Sequence, residues 1–300
     1  MLIELINREI NSFGNCKELG IMLNVSGNII EENAFEIAST NRAFRFGDGL
    51  FETMKYNGEK LLFLEDHYFR LMGGMRVLRM EIPMEFTPEF FEGEILKTID
   101  ANNLQDAPAR IRFSVFRKGE GLYSPETNDV DFWIEATPLE GAAYVLNEIG
   151  LEVDLFTDHP KPGTTLSNVK SNSCFVSILA GVFKKENNLD DCLLINQNHQ
   201  LVEGISSNLF FIQGKKILTP TLKSGCVKGV MRRIILDNAA NWGYEVEEGV
   251  YMPFELMKSD GVFLANTIKG IQWIGKYKKK TFEKTAVAAI FEKLNESLEA

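Results

Sequence analysis

Hydrophobic positions in the first half of the chain alternate between the spacing of strands and the spacing of helices. Residues 27–137 are predicted to form strands interrupted by two helices. The first helix, residues 65–78, places four apolar side chains on one face: Tyr68, Leu71, Met72 and Met75. The second begins with Thr87 as N-cap, because Pro88 suits the first helical position, where no backbone N–H is needed.

Two strands and a linker follow these helices. The segments ARIRFSVFRKGEG and VDFWIEATP are predicted to be paired strands. Hydrophobic patterning then weakens over residues 138–146, where Gly141, Ala142 and Ala143 form a small-residue cluster. This linker predicts a smaller N-terminal α+β domain, residues 1–140, and a larger C-terminal domain, residues 145–300. The first 23 or so residues are predicted to add a strand or a helix.

The second half predicts a strand, LEVDLFTD, followed by an apolar helix that opens at Lys170. Its apolar stripe has the spacing i, i+3, i+4 and i+7: Phe175, Ile178, Leu179 and Val182. The runs CLLIN, QLVEG, NLFFIQG and KKILTP predict an antiparallel meander. A helix over residues 228–242 is expected to end at Gly243, and a last helix spans about residues 282–298. We therefore expect two α+β domains with the functional site in the cleft between them.

Composition narrows the range of partners. A chain of 300 residues with 45% hydrophobic residues can bury a large core. The net charge of −10 repels phosphate backbones, so small molecules are expected rather than nucleic acid. No apolar run approaches the roughly 20 residues that cross a bilayer, and the N-terminus lacks the order of a signal peptide. We therefore expect no membrane partner and a cytoplasmic location.

Metal chemistry is not expected from the cysteines and histidines. The four cysteines form no CxxC pair, and the three histidines lie far apart in the sequence. No zinc or iron cluster can be assembled from them, and the expected metal content is none.

Residues 166–232 contain the candidate chemistry. Lys170 lies among apolar residues, and a lysine forms an imine only when burial or nearby cations lower its pKa from about 10.4. Glu203 lies between apolar strand residues, where an unpaired carboxylate is costly to bury. The turn GCVKGVMR leads into a helix whose N-terminus can bind phosphate. An amine, a carboxylate and a helix N-terminus together suit an aromatic aldehyde phosphate. The alternative for Lys170 is an ordinary solvated lysine at the start of a helix. The alternative for Glu203 is a carboxylate that accepts hydrogen bonds from backbone amides near Gly204.

Six motifs follow one another along the chain: NRAFRFGDGLFET and FLEDHYFRL in the first half, and VKSN, LVEGISSNLF, GVMR and FLANTIKGI in the second half. They resemble the motifs of the class IV aminotransferase family, the fold type IV pyridoxal phosphate enzymes. Their order is the family's order. The resemblance implies the α+β fold of the D-amino acid aminotransferase-like enzymes, with two α/β-type domains and the cofactor in the cleft between them. The larger C-terminal domain would bind the cofactor.

The resemblance also implies a role for each cofactor-binding residue. Lys170 would hold pyridoxal 5′-phosphate as a Schiff base and move the proton of the substrate α-carbon. Glu203 would keep the pyridine nitrogen protonated, so that the ring can accept electrons from the substrate. The phosphate would be held by a guanidinium, a hydroxyl and two backbone amides, from Arg70, Thr267, Val230 and Met231. Asn266 stands where the family often has a small hydroxyl residue.

The substrate end departs from the family's patterns. Arg117 and Arg45 are predicted to bind substrate carboxylates. The alternative is that both are exposed strand arginines with no substrate role. Phe44, Phe46 and Phe175 stand where family members have tyrosines, and Phe46 is predicted to contact the substrate. The basic residue that some aminodeoxychorismate lyases have four places after the lysine is replaced by Cys174.

These features imply an aminotransferase that moves an amino group between an amino acid and a 2-oxo acid. The alternatives are an aminodeoxychorismate lyase, which forms 4-aminobenzoate and pyruvate, and a non-catalytic cofactor-binding homologue. A non-catalytic homologue would be expected to lack Lys170 or Glu203, and both residues are present. The resemblance also implies a homodimer.

Overall fold

The computed structural model of the protein describes residues 20–299. Cys16 and most of the segment predicted to add a strand or a helix lie outside the described residues. Within them, no helix is long and apolar enough to cross a membrane. No group of three His, Cys, Asp or Glu side chains in this part of the chain could hold a metal ion.

The first sheet has five strands, in the spatial order β2-β1-β5-β4-β3, and all its neighbours are antiparallel. In chain order they are β1 (Met22–Val25), β2 (Asn28–Glu31), β3 (Gly49–Asn57), β4 (Pro108–Arg117) and β5 (Val130–Pro138). The predicted pairing of β4 with β5 is confirmed. Because β3 is an edge strand, its outer side is free to receive a segment from the second half of the chain.

The first half contains three helices, α1 (Arg42–Phe46), α2 (Leu64–Val77) and α3 (Pro88–Ala101). Helices α2 and α3 pack on one face of the sheet. Both predicted helices are confirmed, and the Thr87 side chain accepts the Phe90 N–H as N-cap. Leu71, Met72 and Met75 of α2 are buried against the sheet in a common hydrophobic core. The outer face of α2 is left to contact the second half of the chain.

Residues 139–150 form no helix or strand. Tyr144 in this segment is buried, and its hydroxyl donates to the carbonyl oxygen of Thr267 at 2.7 Å. The strands of one sheet precede this segment and those of the other follow it, while the division into domains at residues 140–145 stays a prediction.

The second sheet has nine strands, in the order β11-β10-β9-β12-β13-β6-β7-β8, with β14 also pairing with β13. In chain order they are β6 (Leu151–Phe156), β7 (Asp191–Ile195), β8 (Leu201–Gly204), β9 (Asn208–Gln213), β10 (Lys216–Pro220), β11 (Glu245–Gly249), β12 (Gly261–Asn266), β13 (Gly270–Tyr277) and β14 (Lys280–Thr281). The predicted continuous meander is wrong. Strands β7 and β8 pair, as do β9 and β10, but three other strands separate these hairpins.

The helices of the second half are α4 (Phe175–Glu186), α5 (Val230–Asn238) and α6 (Thr285–Glu299). Short 3₁₀ segments lie at Glu32–Ala34, Thr165–Asn168, Leu222–Ser224 and Pro253–Lys258. Helix α5 begins two residues later and ends four residues earlier than predicted. Residues of α5 and α6 pack on the second sheet in a shared hydrophobic core.

The predicted start of α4 is wrong, and the apolar stripe of this helix is exposed. The helix begins at Phe175, so Lys170 precedes it by five residues. The apolar stripe does not enter the core: Phe175 is 77% exposed and Ile178 is 54% exposed. Ala180 on another face of the helix is fully buried instead. This leaves an exposed apolar face on α4.

Candidate active site

A cavity of about 390 Å³ lies between the edge strand β3, the outer face of α2 and the start of α5. Three of the predicted site residues line it: Arg70, Lys170 and Val230. Phe51, Lys228 and Gly229 also contribute to the wall. The structure therefore brings the predicted amine, the predicted guanidinium and the predicted helix N-terminus to one place.

Lys170 is held in an extended segment at the edge of the first sheet. The Phe51 N–H donates to the carbonyl oxygen of Lys170 at 3.0 Å, and the Asn172 N–H donates to that of Gly49 at 2.9 Å. The Lys170 Nζ lies 4.3 Å from the centre of the Phe51 ring. Burial, and then the neighbouring Arg70 charge, lower the pKa of Lys170 to about 8. A substantial fraction of this amine is therefore neutral at mildly alkaline pH.

Arg70 is fixed by a buried carboxylate. Its Nε donates to Glu52 Oε1 at 2.7 Å, and its second terminal nitrogen donates to Glu52 Oε2. Burial alone would raise the pKa of Glu52, but the Arg70 charge and the Arg70 and His67 hydrogen bonds hold it at about 2. The other terminal nitrogen of Arg70 donates to the Lys228 carbonyl oxygen at 3.3 Å. The guanidinium is thereby oriented beside the start of α5.

His67 is the second partner of Glu52. Its Nδ1 lies 2.6 Å from Glu52 Oε2, and its ring is completely buried. Burial lowers the pKa of His67 despite the Glu52 hydrogen bond, so we treat the ring as neutral. Because an ionised carboxylate can only accept, the ring carries its proton on Nδ1. His67 Nε2 has no hydrogen-bond partner among the described residues.

The N-terminus of α5 has free backbone donors. The first N–H groups of a helix have no intrahelical acceptor, and the N-cap Gly229 has no side chain to supply one. Val230 and Met231 are the first two helical residues, and both side chains are buried. A Cβ atom on Gly229 would lie 1.9 Å from Asn208 Oδ1, so any other residue here would displace the Asn208 side chain. The backbone here can bind an anion closely.

Glu203 lies on β8 and is almost completely buried. Its Oε1 accepts a hydrogen bond from the Lys161 ammonium, and its Oε2 accepts the Val227 N–H at 2.9 Å. These groups, rather than amides near Gly204, are the protein partners of the carboxylate. Glu203 also interacts through its charge with Lys170.

Asn266 and Thr267 form the turn between β12 and β13. The Asn266 amide oxygen accepts the N–H groups of Ile268 and Lys269, at 3.0 and 2.9 Å. The Thr267 hydroxyl donates to the carbonyl oxygen of Thr53 at 3.0 Å. Neither residue lines the cavity. Thr267 is nevertheless tied to β3 one residue beyond Glu52.

The predicted substrate residues lie elsewhere. Phe46 and Arg117 line a second, more open depression around Asp48, and Arg45 is exposed on α1. The Arg117 guanidinium donates to Asp48 at 3.1 Å and to the carbonyl oxygen of Leu78 at 2.7 Å, with further bonds to Asn128 and Arg79. Its donors are therefore directed at protein acceptors. The substrate roles of these three residues stay predictions.

Sequence reasoning missed Arg112 of β4. Its guanidinium carbon lies 3.7 Å from the centre of the Phe51 ring, which Lys170 also contacts. Its terminal nitrogen donates to Asn172 Oδ1 at 3.5 Å. Arg112 is thus the β4 arginine that lies beside the predicted amine. The signal in the sequence that could have identified Arg112 was the alternation of apolar and polar side chains along β4.

Comparison with known proteins agrees with the motifs. The model of the family "amino-transferase class IV" matches residues 49–277, which is more than half of the chain. Aminodeoxychorismate lyase of Bacillus subtilis is 26% identical over 82% of this chain and 83% of its own. Branched-chain-amino-acid aminotransferase 6 of Arabidopsis thaliana is 25% identical over 91% of this chain and 80% of its own.

A solved structure agrees with the fold. The branched-chain amino acid aminotransferase of Thermobaculum terrenum, in its PLP form, superposes with a TM-score of 0.81 at 23% identity. The match covers 94% of both chains. It confirms the predicted fold class, that of the fold type IV enzymes. The family model, which matches more than half of the chain, establishes that the chain belongs to the class IV aminotransferase family of enzymes.

Proposed function

We propose that the protein is a pyridoxal phosphate-dependent aminotransferase that moves an amino group between an amino acid and a 2-oxo acid. The observation that carries the proposal is the Lys170 amine, whose pKa is lowered to about 8, in one cavity with Arg70 and the uncapped start of α5. An amine that loses its proton this readily can act as nucleophile and as base.

The residues present fit the cofactor. The free amides of Val230 and Met231, beside a glycine whose side chain would clash with Asn208, suit a phosphate. Arg70 adds a positive charge that Glu52 and His67 hold in place. Each Glu203 oxygen uses one lone pair for a protein donor and keeps a second for a ring nitrogen. The phosphate contact expected of the Thr267 hydroxyl stays a prediction, because this hydroxyl donates to the carbonyl oxygen of Thr53.

The chain's own residues divide the chemistry between them. When bound, the cofactor supplies an electron sink for the α-carbon of the substrate. Lys170 would take the proton from that carbon and return it, because its amine is partly neutral. Lys161 is a poorer candidate for this task, since its ammonium is paired with Glu203. Glu203 would hold the proton on the ring nitrogen, because a carboxylate stabilises a neighbouring cation.

A substrate carboxylate needs a guanidinium near Lys170. We propose Arg112 for this role, because it lies beside Lys170 on the Phe51 ring. Arg45 and Arg117 remain the alternatives from the sequence.

The second candidate function is that of an aminodeoxychorismate lyase. It is favoured by the similarity to the Bacillus subtilis lyase and by phenylalanines where aminotransferases have tyrosines. Both reactions share the first proton abstraction by Lys170. Assays for 2-oxo acid formation, with panels of L- and D-amino acids and with aminodeoxychorismate, separate the two functions.

Reduction with borohydride tests the proposal directly. We expect the purified protein to be yellow and mass spectrometry of the reduced protein to locate a pyridoxyl adduct on Lys170. Lys170→Ala should lose both the absorbance and the adduct, whereas the control Lys276→Ala, on an exposed strand end, should retain both. An adduct on Lys161, Lys228 or another lysine would overturn the assignment, and a colourless protein that binds no cofactor would overturn the proposed function.

A further inference from the structure

Lys161 lies in the segment that leads from β6 to Lys170, between Pro160 and Pro162. Two prolines restrict the backbone on both sides of the lysine. The Lys161 N–H donates to the carbonyl oxygen of Ile195 at 2.8 Å, which anchors the segment to the end of β7. A Cβ atom on Gly225 would lie 2.5 Å from the Pro162 carbonyl oxygen, so the segment also packs closely on the turn before α5. The side chain of Lys161 therefore starts from a fixed position.

The ion pair between Lys161 and Glu203 is buried. The side chains are 14% and 7% exposed, respectively. Removing one partner of a buried pair leaves an uncompensated charge, which is strongly destabilising. The Val227 N–H is the other donor to this carboxylate, but a neutral amide does not balance its charge.

Lys170 does not replace Lys161 in this role. It influences Glu203 through charge, and no hydrogen bond joins the two among the described residues. The Lys170 amine must also be free to react. Lys161 is thus the charged group in direct contact with Glu203.

We propose that Lys161 is a positioning residue that holds the Glu203 carboxylate in place and directed toward the ring nitrogen of the cofactor, whether or not the cofactor is bound. The inference rests on the proposed function, because the Glu203 carboxylate needs to be positioned by Lys161 only if a pyridine ring binds beside it. In the cofactor-free protein the ammonium is the charged partner of the carboxylate. In the loaded protein the ring nitrogen is a second partner, so loss of the ammonium matters less there.

Thermal unfolding of the full chain, with and without saturating pyridoxal 5′-phosphate, tests this difference. Lys161→Met keeps the length of the side chain and removes its charge. We expect the Tm of the cofactor-free protein to fall by about 5–10 °C and that of the loaded protein to fall by clearly less. Lys161→Arg keeps the charge and should restore most of the loss.

Lys276→Met is the matched control. It removes an ion pair with Glu152, 2.6 Å long, whose two side chains are each 46% exposed. Both forms of this variant should keep the wild-type Tm within about 2 °C. The double variant Lys161→Met/Glu203→Gln carries no lone buried carboxylate, so without cofactor it should be more stable than Lys161→Met.

Equal falls in the loaded and cofactor-free Lys161→Met proteins would assign Lys161 a purely structural role and overturn the inference. A fall no larger than that of Lys276→Met would overturn it too. If Lys161→Met does not fold, recovery of a folded double variant supports the inference and failure of that variant overturns it. A wild-type protein whose Tm and absorbance do not respond to pyridoxal phosphate would instead refute the proposed function.

Discussion

Replacing Glu52 by glutamine should destabilise the protein by an amount that depends on pH. Glu52 is 1% exposed, and its pKa is about 2 against an ordinary value of 4.5. One pKa unit corresponds to about 1.4 kcal/mol, so the ionised carboxylate contributes about 3 kcal/mol to the free energy of unfolding at neutral pH. Burial opposes this contribution, and the contacts with Arg70 and His67 outweigh burial.

The sign of the pH dependence follows from the depressed pKa. The stabilisation is complete above about pH 4.5, where the carboxylate is ionised in both the unfolded and the folded protein. It is lost as the pH falls from about 4.5 toward about 2. Glutamine cannot reproduce it, because its NH₂ group would face the donors of Arg70 and His67.

Urea unfolding of the two proteins between pH 7 and pH 3 measures this effect. At pH 7 we expect Glu52→Gln to be less stable by about 3 kcal/mol, and we expect the difference to shrink below about pH 4.5. Glu152→Gln is the control, since its partner Lys276 is about half exposed and such pairs contribute at most about 1 kcal/mol. A Glu52→Gln effect as small as the control, or one that does not change with pH, would refute the electrostatic explanation.

Three further predictions concern the reaction and the assembly. Glu203→Gln should keep cofactor binding while slowing α-proton exchange by orders of magnitude, and unchanged turnover would contradict the role of Glu203. Arg112→Leu should raise the KM for a carboxylate substrate more than for a comparable amine without the carboxylate; the same test applied to Arg45→Ala and Arg117→Ala compares the three arginines. Sedimentation should find a homodimer, and Ile178→Asp on the exposed face of α4 should weaken it; an active wild-type monomer would contradict the prediction.

Local signals in the sequence predicted the elements of the first sheet well. Thr87 and Pro88 located the start of α3 to the residue, because capping depends on neighbours in sequence. The alternation along β4 and β5 predicted two strands, and their pairing followed because strands that are consecutive in the chain are usually neighbours in a sheet. These elements needed no information from distant parts of the chain.

The second half depended on distant contacts. Strands β12, β13 and β6 divide the predicted four-stranded meander into two hairpins, and short apolar runs contain no information about their partners. Lys170 was predicted to open a helix because apolar residues follow it. Backbone hydrogen bonds to β3 hold the segment around Lys170 extended instead, and they come from residues about 120 positions earlier in the chain.

The apolar neighbours of Glu203 in the sequence predicted only part of its environment. The sequence indicated that a carboxylate among apolar strand residues needs a partner, but it did not identify Lys161, which lies 42 positions earlier. The same holds for Glu52, whose partners lie 15 and 18 positions later. Such pairs form where two elements pack, so they follow from the fold rather than from local sequence.

The arginines of β4 are a different case, because the sequence contained the evidence to rank them. Ile111, Phe113 and Val115 alternate along the strand, and all three are completely buried in the core beneath α2 and α3. Successive side chains of a strand point to opposite faces, so Arg117 shares the core face and Arg112 lies on the other. Arg117 is accordingly buried and its donors are bonded to protein, whereas Arg112 lies on the face that receives Lys170. The alternation of β4 therefore ranks Arg112 above Arg117 as the carboxylate-binding arginine, and an Arg117→Ala variant should lower the Tm while leaving the KM for the substrate nearly unchanged.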